Sequence, residues 1–137
     1  MEATGSCLCG AVTYAAKAVE TDVHSCHCNM CLRWNGGPGF AVGVGQVSFN
    51  GEQNITRFSS SEWAERGFCN RCGTNLFYHL KEADLYMLWM GTFDDLMPFK
   101  LASEIYIDQK PAVYDLAGNH PRLTGDEFMA SLQEMEQ

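Results

Sequence analysis

Phe68-Cys69-Asn70-Arg71-Cys72-Gly73 is the stretch that decides the fold of this chain. Two cysteines separated by two residues place their thiolates close enough to share one tetrahedral ion, at sulfur–zinc distances of about 2.3 Å. Far upstream stands a second pair, Cys7-Leu8-Cys9, inside Gly5-Ser6-Cys7-Leu8-Cys9-Gly10. A metal shared by both pairs ties the first strands to the middle of the chain and acts as a staple. Gly10 and Gly73 each follow a pair directly. They suit tight knuckles in which backbone amides turn toward the sulfurs.

The other three of the seven cysteines lie in Cys26-His27-Cys28-Asn29-Met30-Cys31. Four sulfurs close a site, and a closed site is structural. Three leave a position open, and an open one admits substrate. A histidine is the competing fourth ligand. His27, His24 or His79 would turn the triplet into a second closed site, and otherwise the fourth position belongs to water or substrate.

Disulfides explain the clusters less well. The cysteine count is odd, which leaves at least one thiol over. Met1-Glu2-Ala3-Thr4-Gly5-Ser6 has neither a basic start nor an apolar run, so it does not read as a secretory signal. The expected setting is cytoplasmic and reducing, where structural disulfides are rare. A Cys7–Cys9 bridge would also be a strained small ring. Cys69-Asn70-Arg71-Cys72 alone matches a thioredoxin-like redox pair, but it lacks the βαβ setting and leaves two clusters unexplained. An iron–sulfur cluster also takes four thiolates. Zinc is the expected metal, two ions per chain.

Composition narrows the function classes. A length of 137 residues suits one domain with a real core. No stretch approaches the roughly 18 continuous apolar residues of a membrane span. The net charge is -8, with only nine lysines and arginines, and ionised metal ligands make it more negative. Such a surface repels nucleic-acid phosphate. The basic residues form no patch, so neither a nucleic-acid nor a membrane partner is expected.

The pattern along the chain is mainly β. Strands are expected at Ala11–Ala15, Asp22–Ser25, Phe40–Val44, Val47–Phe49, Asn54–Phe58, Ala64–Phe68, Asn75–His79, Leu85–Met90 and Glu104–Ile107, from β-branched and aromatic enrichment between turn residues. Asn29–Trp34 and Phe93–Met97 read as helical turns. Thr124-Gly125-Asp126-Glu127 before Phe128, Met129 and Leu132 reads as the cap of an amphipathic helix over about 124–135. Its acidic residues Glu127, Glu134 and Glu136 suit docking on the same chain or on a neighbour. Trp63, Phe77, Tyr78, Trp89 and Phe93 read as core, and Arg66 and Arg71 as solvent-facing or paired with carboxylates. Gly36-Gly37-Pro38-Gly39 reads as a turn. No linker divides the chain, so residues 1–137 are expected to form a single zinc-binding domain.

Three thiolates donate much charge to a zinc ion and make it a poorer Lewis acid than a three-histidine site, which drives bound water toward a pKa near 7. Hydrolysis is therefore not the first expectation. A sulfur-rich site is better suited to receiving another thiol and holding it as a nucleophile. The predicted chemistry is sulfur attack on a small electrophile.

Gly5–Gly10, Cys26–Cys31 and Phe68-Cys69-Asn70-Arg71-Cys72-Gly73-Thr74-Asn75-Leu76-Phe77 together resemble the glutathione-dependent formaldehyde-activating enzyme family, whose domain is shared with centromere protein V. The resemblance covers roughly residues 3 to 115. It implies an Mss4-like, β-tent fold, a structural zinc on Cys7, Cys9, Cys69 and Cys72, and a catalytic zinc on Cys26, Cys28 and Cys31. The implied activity is addition of glutathione to formaldehyde or a small aldehyde, a carbon–sulfur lyase reaction yielding S-hydroxymethylglutathione. The chain departs from the family pattern in two places. Leu32-Arg33 leaves one basic residue where members often carry two, and Lys110-Pro111-Ala112-Val113-Tyr114-Asp115 lacks a tryptophan often found there. Arg33 and Trp34, directly after the triplet, are the candidate substrate contacts, for a carboxylate and for covering the metal. Two other readings stand beside the enzyme: a non-catalytic zinc-stapled scaffold module, and a redox sensor using the triplet's thiols.

Overall fold

The computed structural model describes residues 1–135. In chain order the strands are β1 (Ala3–Ser6), β2 (Thr13–Lys17), β3 (Asp22–Cys26), β4 (Gly39–Val44), β5 (Gln46–Asn50), β6 (Ile55–Ser59), β7 (Ala64–Cys69), β8 (Asn75–Leu80), β9 (Leu85–Trp89), β10 (Lys100–Ile105) and β11 (Arg122–Leu123), and the helices are α1 (Asn29–Asn35) and α2 (Gly125–Met135). Two compact units result, residues 1–21 with 41–99, and residues 22–40 with those from Lys100 onward.

The first unit holds two antiparallel arrays. β1 pairs with β2 and β2 with β5. β4, β9, β8, β7 and β6 pair in that order. β2 shows the period of two that a half-buried strand requires: Tyr14 and Ala16 are buried, while Thr13, Ala15 and Lys17 face solvent. Tyr14 meets Phe49 at 6.0 Å and Phe93 at 5.5 Å between ring centroids, and Phe49 meets Phe77 at 5.3 Å. These aromatic contacts, with fully buried Val12, Leu76 and Leu88, join the two arrays of this unit into one core.

Most strand positions match the sequence reading, and the departures have local causes. β2 starts at Thr13, not Ala11, because the Val12 amide is spent on Cys7 Sγ at 3.3 Å. β4 and β5 adjoin through Gly45 yet pair with different strands, β9 and β2. The helical turn expected at Phe93–Met97 is absent. A 3-10 turn comes earlier, at Met90–Thr92. The Asp94 amide then bonds Thr4 O, and the Met97 amide bonds Asp95 Oδ1 at 3.0 Å, a side-chain acceptor competing with helix. Trp63 is 61% exposed rather than core, because it sits in the β6–β7 turn, with no sheet face to cover it. Arg66 is buried rather than solvent-facing. It occupies an inward position of β7, with its guanidinium 5.1 Å from the centre of the Tyr78 ring.

In the second unit β3 and β11 both run parallel to β10. The strand expected at Glu104–Ile107 begins earlier and ends at Ile105. Tyr106 takes a left-handed backbone, φ 56°, which ends the strand and opens a 3-10 turn at Ile107–Gln109. Its ring packs against Phe128 of α2, 6.0 Å between centroids. α2 opens on a reciprocal cap. Thr124 Oγ1 accepts from the Glu127 amide at 3.1 Å, and Glu127 Oε1 accepts from the Thr124 amide at 2.9 Å. Glu127 thus serves the helix itself, Glu134 is exposed, and Glu136 lies outside the described residues. Thr124→Ala is expected to cost about 1 kcal/mol. Hydrogen exchange checks it: α2 amides should lose protection while those of β7 and β8 keep theirs.

Candidate metal centres

Cys7, Cys9, Cys69 and Cys72 bring their sulfurs together within 4.8 Å of one another. Cys7 and Cys9 Sγ are 3.6 Å apart, and Cys9 and Cys69 Sγ are 3.8 Å apart. A tetrahedron with 2.3 Å sulfur–zinc bonds has edges of about 3.8 Å, so this donor set fits a zinc-sized ion. The knuckles explain how the chain achieves it. Gly10 and Gly73 both take φ 81°, open to glycine and strained for other residues. Each closes its loop onto the first cysteine, with Gly10 N to Cys7 O at 3.3 Å and Gly73 N to Cys69 O at 2.8 Å. Amides then face the sulfurs, from Val12 to Cys7 at 3.3 Å and from Arg71 to Cys69 at 3.4 Å. Hydrogen bonds from Thr74 hold the Cys72 thiol down at about 5. The Ala11 amide favours the Cys9 thiolate, but burial and three neighbouring sulfurs push its thiol up to about 11. Crowded sulfurs cannot all ionise without a cation among them, and a divalent ion resolves that conflict.

The triplet repeats the pattern with three donors. Cys26, Cys28 and Cys31 also lie within 4.8 Å of one another. Cys26 ends β3 and Cys31 sits inside α1. Cys28 is the N-cap of that helix, its sulfur accepting from the Cys31 amide at 3.4 Å. Hydrogen bonding from Cys26 and Cys31 pulls the Cys28 thiol well down, while Cys28, Cys31 and burial push Cys26 up. One sulfur ionises at the expense of another, a conflict that a divalent cation would relieve.

His27 points away from this task. It is fully buried, and its Nε2 lies 2.7 Å from Glu104 Oε1. Its Nδ1 lies 2.8 Å from the Tyr114 hydroxyl. Glu104 is 1% exposed and takes two further partners on its second oxygen, His120 Nε2 at 2.6 Å and Arg122 Nε at 2.9 Å. Burial alone would push its carboxyl up. The hydrogen bonds from His120 and His27, with the charge of Arg122, outweigh burial and hold it below the usual carboxylate range. An ionised carboxylate only accepts, so His27 Nε2 carries a proton and donates. The other two histidines weighed as fourth ligands are also engaged. His24 Nδ1 lies 2.6 Å from Ser103 Oγ, and His79 bonds both Glu65 and Asp84.

Arg33 is exposed in the last turn of α1, and Trp34 beside it is half-buried. The Glu104 constellation is what sequence reasoning missed. Its one available signal was a glutamate inside the apolar strand Glu104-Ile105-Tyr106-Ile107, where an unpaired carboxylate would be costly.

A sequence model of the glutathione-dependent formaldehyde-activating enzyme family matches residues 2–109. The chain belongs to this family. The match spans both cysteine clusters of this chain, while Tyr114, His120 and Arg122 lie beyond it. A protein of Schizosaccharomyces pombe named an uncharacterized lyase is 32% identical over 133 residues, covering 96% of this chain and 97% of its own. A crystal structure of a Rhodobacter sphaeroides protein superposes with a TM-score of 0.56 at 18% identity, over 87% of this chain and 98% of that one. That likeness concerns fold alone, and the fold is the mainly β, Mss4-like class with a C-terminal helix. Among the described residues no helix is long and apolar enough to cross a membrane.

Proposed function

We propose that this chain is a zinc-dependent carbon–sulfur lyase of the glutathione-dependent formaldehyde-activating type, joining glutathione to formaldehyde or a small aldehyde, or cleaving the adduct. Family membership and the relative named a lyase support the reaction class. The observation that carries the reading further is the engagement of both His27 nitrogens, by Tyr114 and Glu104. The histidine between two triplet cysteines is thereby occupied elsewhere, and a fourth position is left for substrate.

In this reading Cys26, Cys28 and Cys31 hold the catalytic zinc, and Cys7, Cys9, Cys69 and Cys72 the structural one. Bound to three thiolates, zinc would supply a soft position that favours a substrate thiolate over water. The chain's own residues do the rest. Cys28 sets the start of α1 and fixes Cys31 relative to it. Buried His27 anchors the peptide between Cys26 and Cys28, so the sulfurs are held in place before substrate arrives. Arg33 meets a carboxylate of the thiol substrate, and Trp34 covers the site. The small overall basic content makes such local recognition necessary, since the field of a chain with net charge -8 repels an anionic thiol.

The test is spectroscopic. The protein should bind two metal ions, and in the cobalt-substituted form millimolar glutathione should shift the visible bands of one site while leaving the other unchanged. Absence of any shift at millimolar thiol favours the scaffold reading instead.

A further inference from the structure

β3 and β10 run parallel and end together, with Ile105 opposite Cys26 and the His27 amide donating to Ile105 O at 3.1 Å. The two segments leave the sheet side by side. One continues through the triplet into α1, the other into the 3-10 turn at Ile107–Gln109. That turn is tied down: the Gln109 amide donates to Tyr106 O at 3.0 Å, and the Gly125 amide to Asp108 Oδ1 at 2.9 Å. Gln109 is thereby carried to the start of α1, where its Oε1 accepts from the Asn29 amide at 2.8 Å. Asn29 is joined to Cys28 by a single peptide bond. Covalent geometry alone then keeps the Gln109 oxygen within about 8 Å of the Cys28 sulfur. That sulfur folds back onto the same helical turn, accepting from the Cys31 amide at 3.4 Å, and all three triplet sulfurs lie within 4.8 Å of one another.

A carboxamide has one acceptor oxygen and an NH2 with two donors. The Asn29 amide can only donate, so it takes the oxygen and fixes which way the group faces. Nε2 keeps both hydrogens, with no hydrogen-bond partner among the described residues. Gln109 is half-buried, and its neighbours Asn29 and Met30 are exposed, so these donors face water rather than core. An uncommitted, non-titrating donor anchored beside a sulfur cluster suits an oxygen that turns negative as sulfur attacks a carbonyl. Fixed N–H groups act most strongly on charge that develops during the step.

We propose that Gln109 is a catalytic residue of this site, its Nε2 donating a hydrogen bond to the aldehyde oxygen as the carbon–sulfur bond forms. The inference rests on the lyase reading above. The step balances without oxidant or reductant. Sulfur bonds to the carbonyl carbon, the carbonyl π pair moves to oxygen, and that oxygen takes a proton from water. The proton released by the thiol restores the water, and the carboxamide neither gains nor loses one. Reversal gives cleavage of the adduct.

Two variants separate the donor from the anchor. Gln109→Glu keeps an oxygen for the Asn29 amide and removes the NH2, whereas Gln109→Leu removes both. In each zinc-loaded variant, acceleration of adduct formation over the spontaneous reaction should fall about 100-fold, the scale of losing one such donor. Metal content should match the unmutated protein in Gln109→Glu. The cobalt-substituted form gives a readout other than activity: the preference for glutathione pre-equilibrated with formaldehyde over glutathione alone should fall about tenfold, as one hydrogen bond to the hydroxymethyl oxygen is lost. The new carboxylate of Gln109→Glu repels both forms of glutathione alike and drops out of that ratio. Gln109→Glu behaving as the unmutated protein overturns the proposal, and if Gln109→Leu alone is impaired the residue merely anchors α1. Loss of metal from Gln109→Glu also overturns it, by making the role structural. Each of these outcomes leaves the lyase reading standing. An unmutated protein that neither accelerates the reaction nor responds to glutathione overturns both.

Discussion

Cys69→Ser is expected to abolish cooperative folding of the first unit, whereas Cys28→Ser keeps a cooperative melt and loses one metal. The asymmetry follows from what each sulfur holds. Cys69 is fully buried at the end of β7, 3.8 Å from Cys9 Sγ, and its partners come from a knuckle sixty residues away in sequence. A metal bound there closes that long loop. Structural zinc sites of this kind contribute apparent binding free energies of about 10–16 kcal/mol, while a domain's whole stability is about 5–15 kcal/mol. Serine is a poor zinc ligand and offers no soft sulfur, so most of that contribution goes. The unit's remaining core, chiefly Tyr14, Phe49, Phe77 and Leu88, cannot offset it. Cys28 is half-buried, and all three triplet ligands lie within six consecutive residues. A metal there closes only a short loop, and its loss returns little chain entropy to the unfolded state. Serine is also a good N-cap, so α1 survives the change. Metal analysis with thermal melts of both variants checks this. If Cys28→Ser melts as badly as Cys69→Ser, the division between a holding site and a working site fails.

Sequence spacing made the two sulfur clusters, the candidate metal centres, legible because clustered cysteines announce themselves locally. Pairs at Cys7/Cys9 and Cys69/Cys72, each followed by a glycine in the left-handed region, carry the whole knuckle geometry within six residues. Strands such as β2 and β3 were legible for the same reason, since alternation is a local property. The second layer of the triplet site was not. Glu104 is separated from His27 by 77 positions and from His120 by 16. Nothing local to any of these residues distinguishes a networked carboxylate from one on a solvated strand. Trp63 shows the opposite failure. Aromatic character suggested core, but a turn position decides exposure, and hydrophobicity alone does not place a side chain. Tyr106 is a third case. An aromatic between two isoleucines has strand propensity, and packing against Phe128 and Gly125 overrides it with a left-handed backbone.

Glu104→Gln tests whether that buried network carries stability as well as position, and the expected loss is about 3 kcal/mol at neutral pH. The reason is asymmetric. His27 and His120 both donate to the carboxylate and Arg122 adds its charge, so the ion is fully matched despite 1% exposure. A glutamine of nearly the same shape brings one oxygen and an amide that can only donate. One of the facing donors is then left opposite another donor in a dry site, where the full desolvation cost applies. Acid sensitivity provides the sharper signature. The Glu104 carboxyl is held below its ordinary value of 4.5 in the folded protein. A group with a lowered folded pKa contributes stability that is present above the unfolded value and disappears as the pH falls through the folded one. The stability gap between the unmutated protein and Glu104→Gln should therefore be constant from neutral pH to about 5, then narrow below 4.5. Protonation of metal ligands also destabilises both proteins in acid, but it acts on each alike and drops out of the difference. Denaturant melts of the pair at several pH values measure that difference directly. A gap that stays constant down to pH 3 would mean that the carboxylate's charge does not matter and that Glu104 merely fills space between His27 and His120.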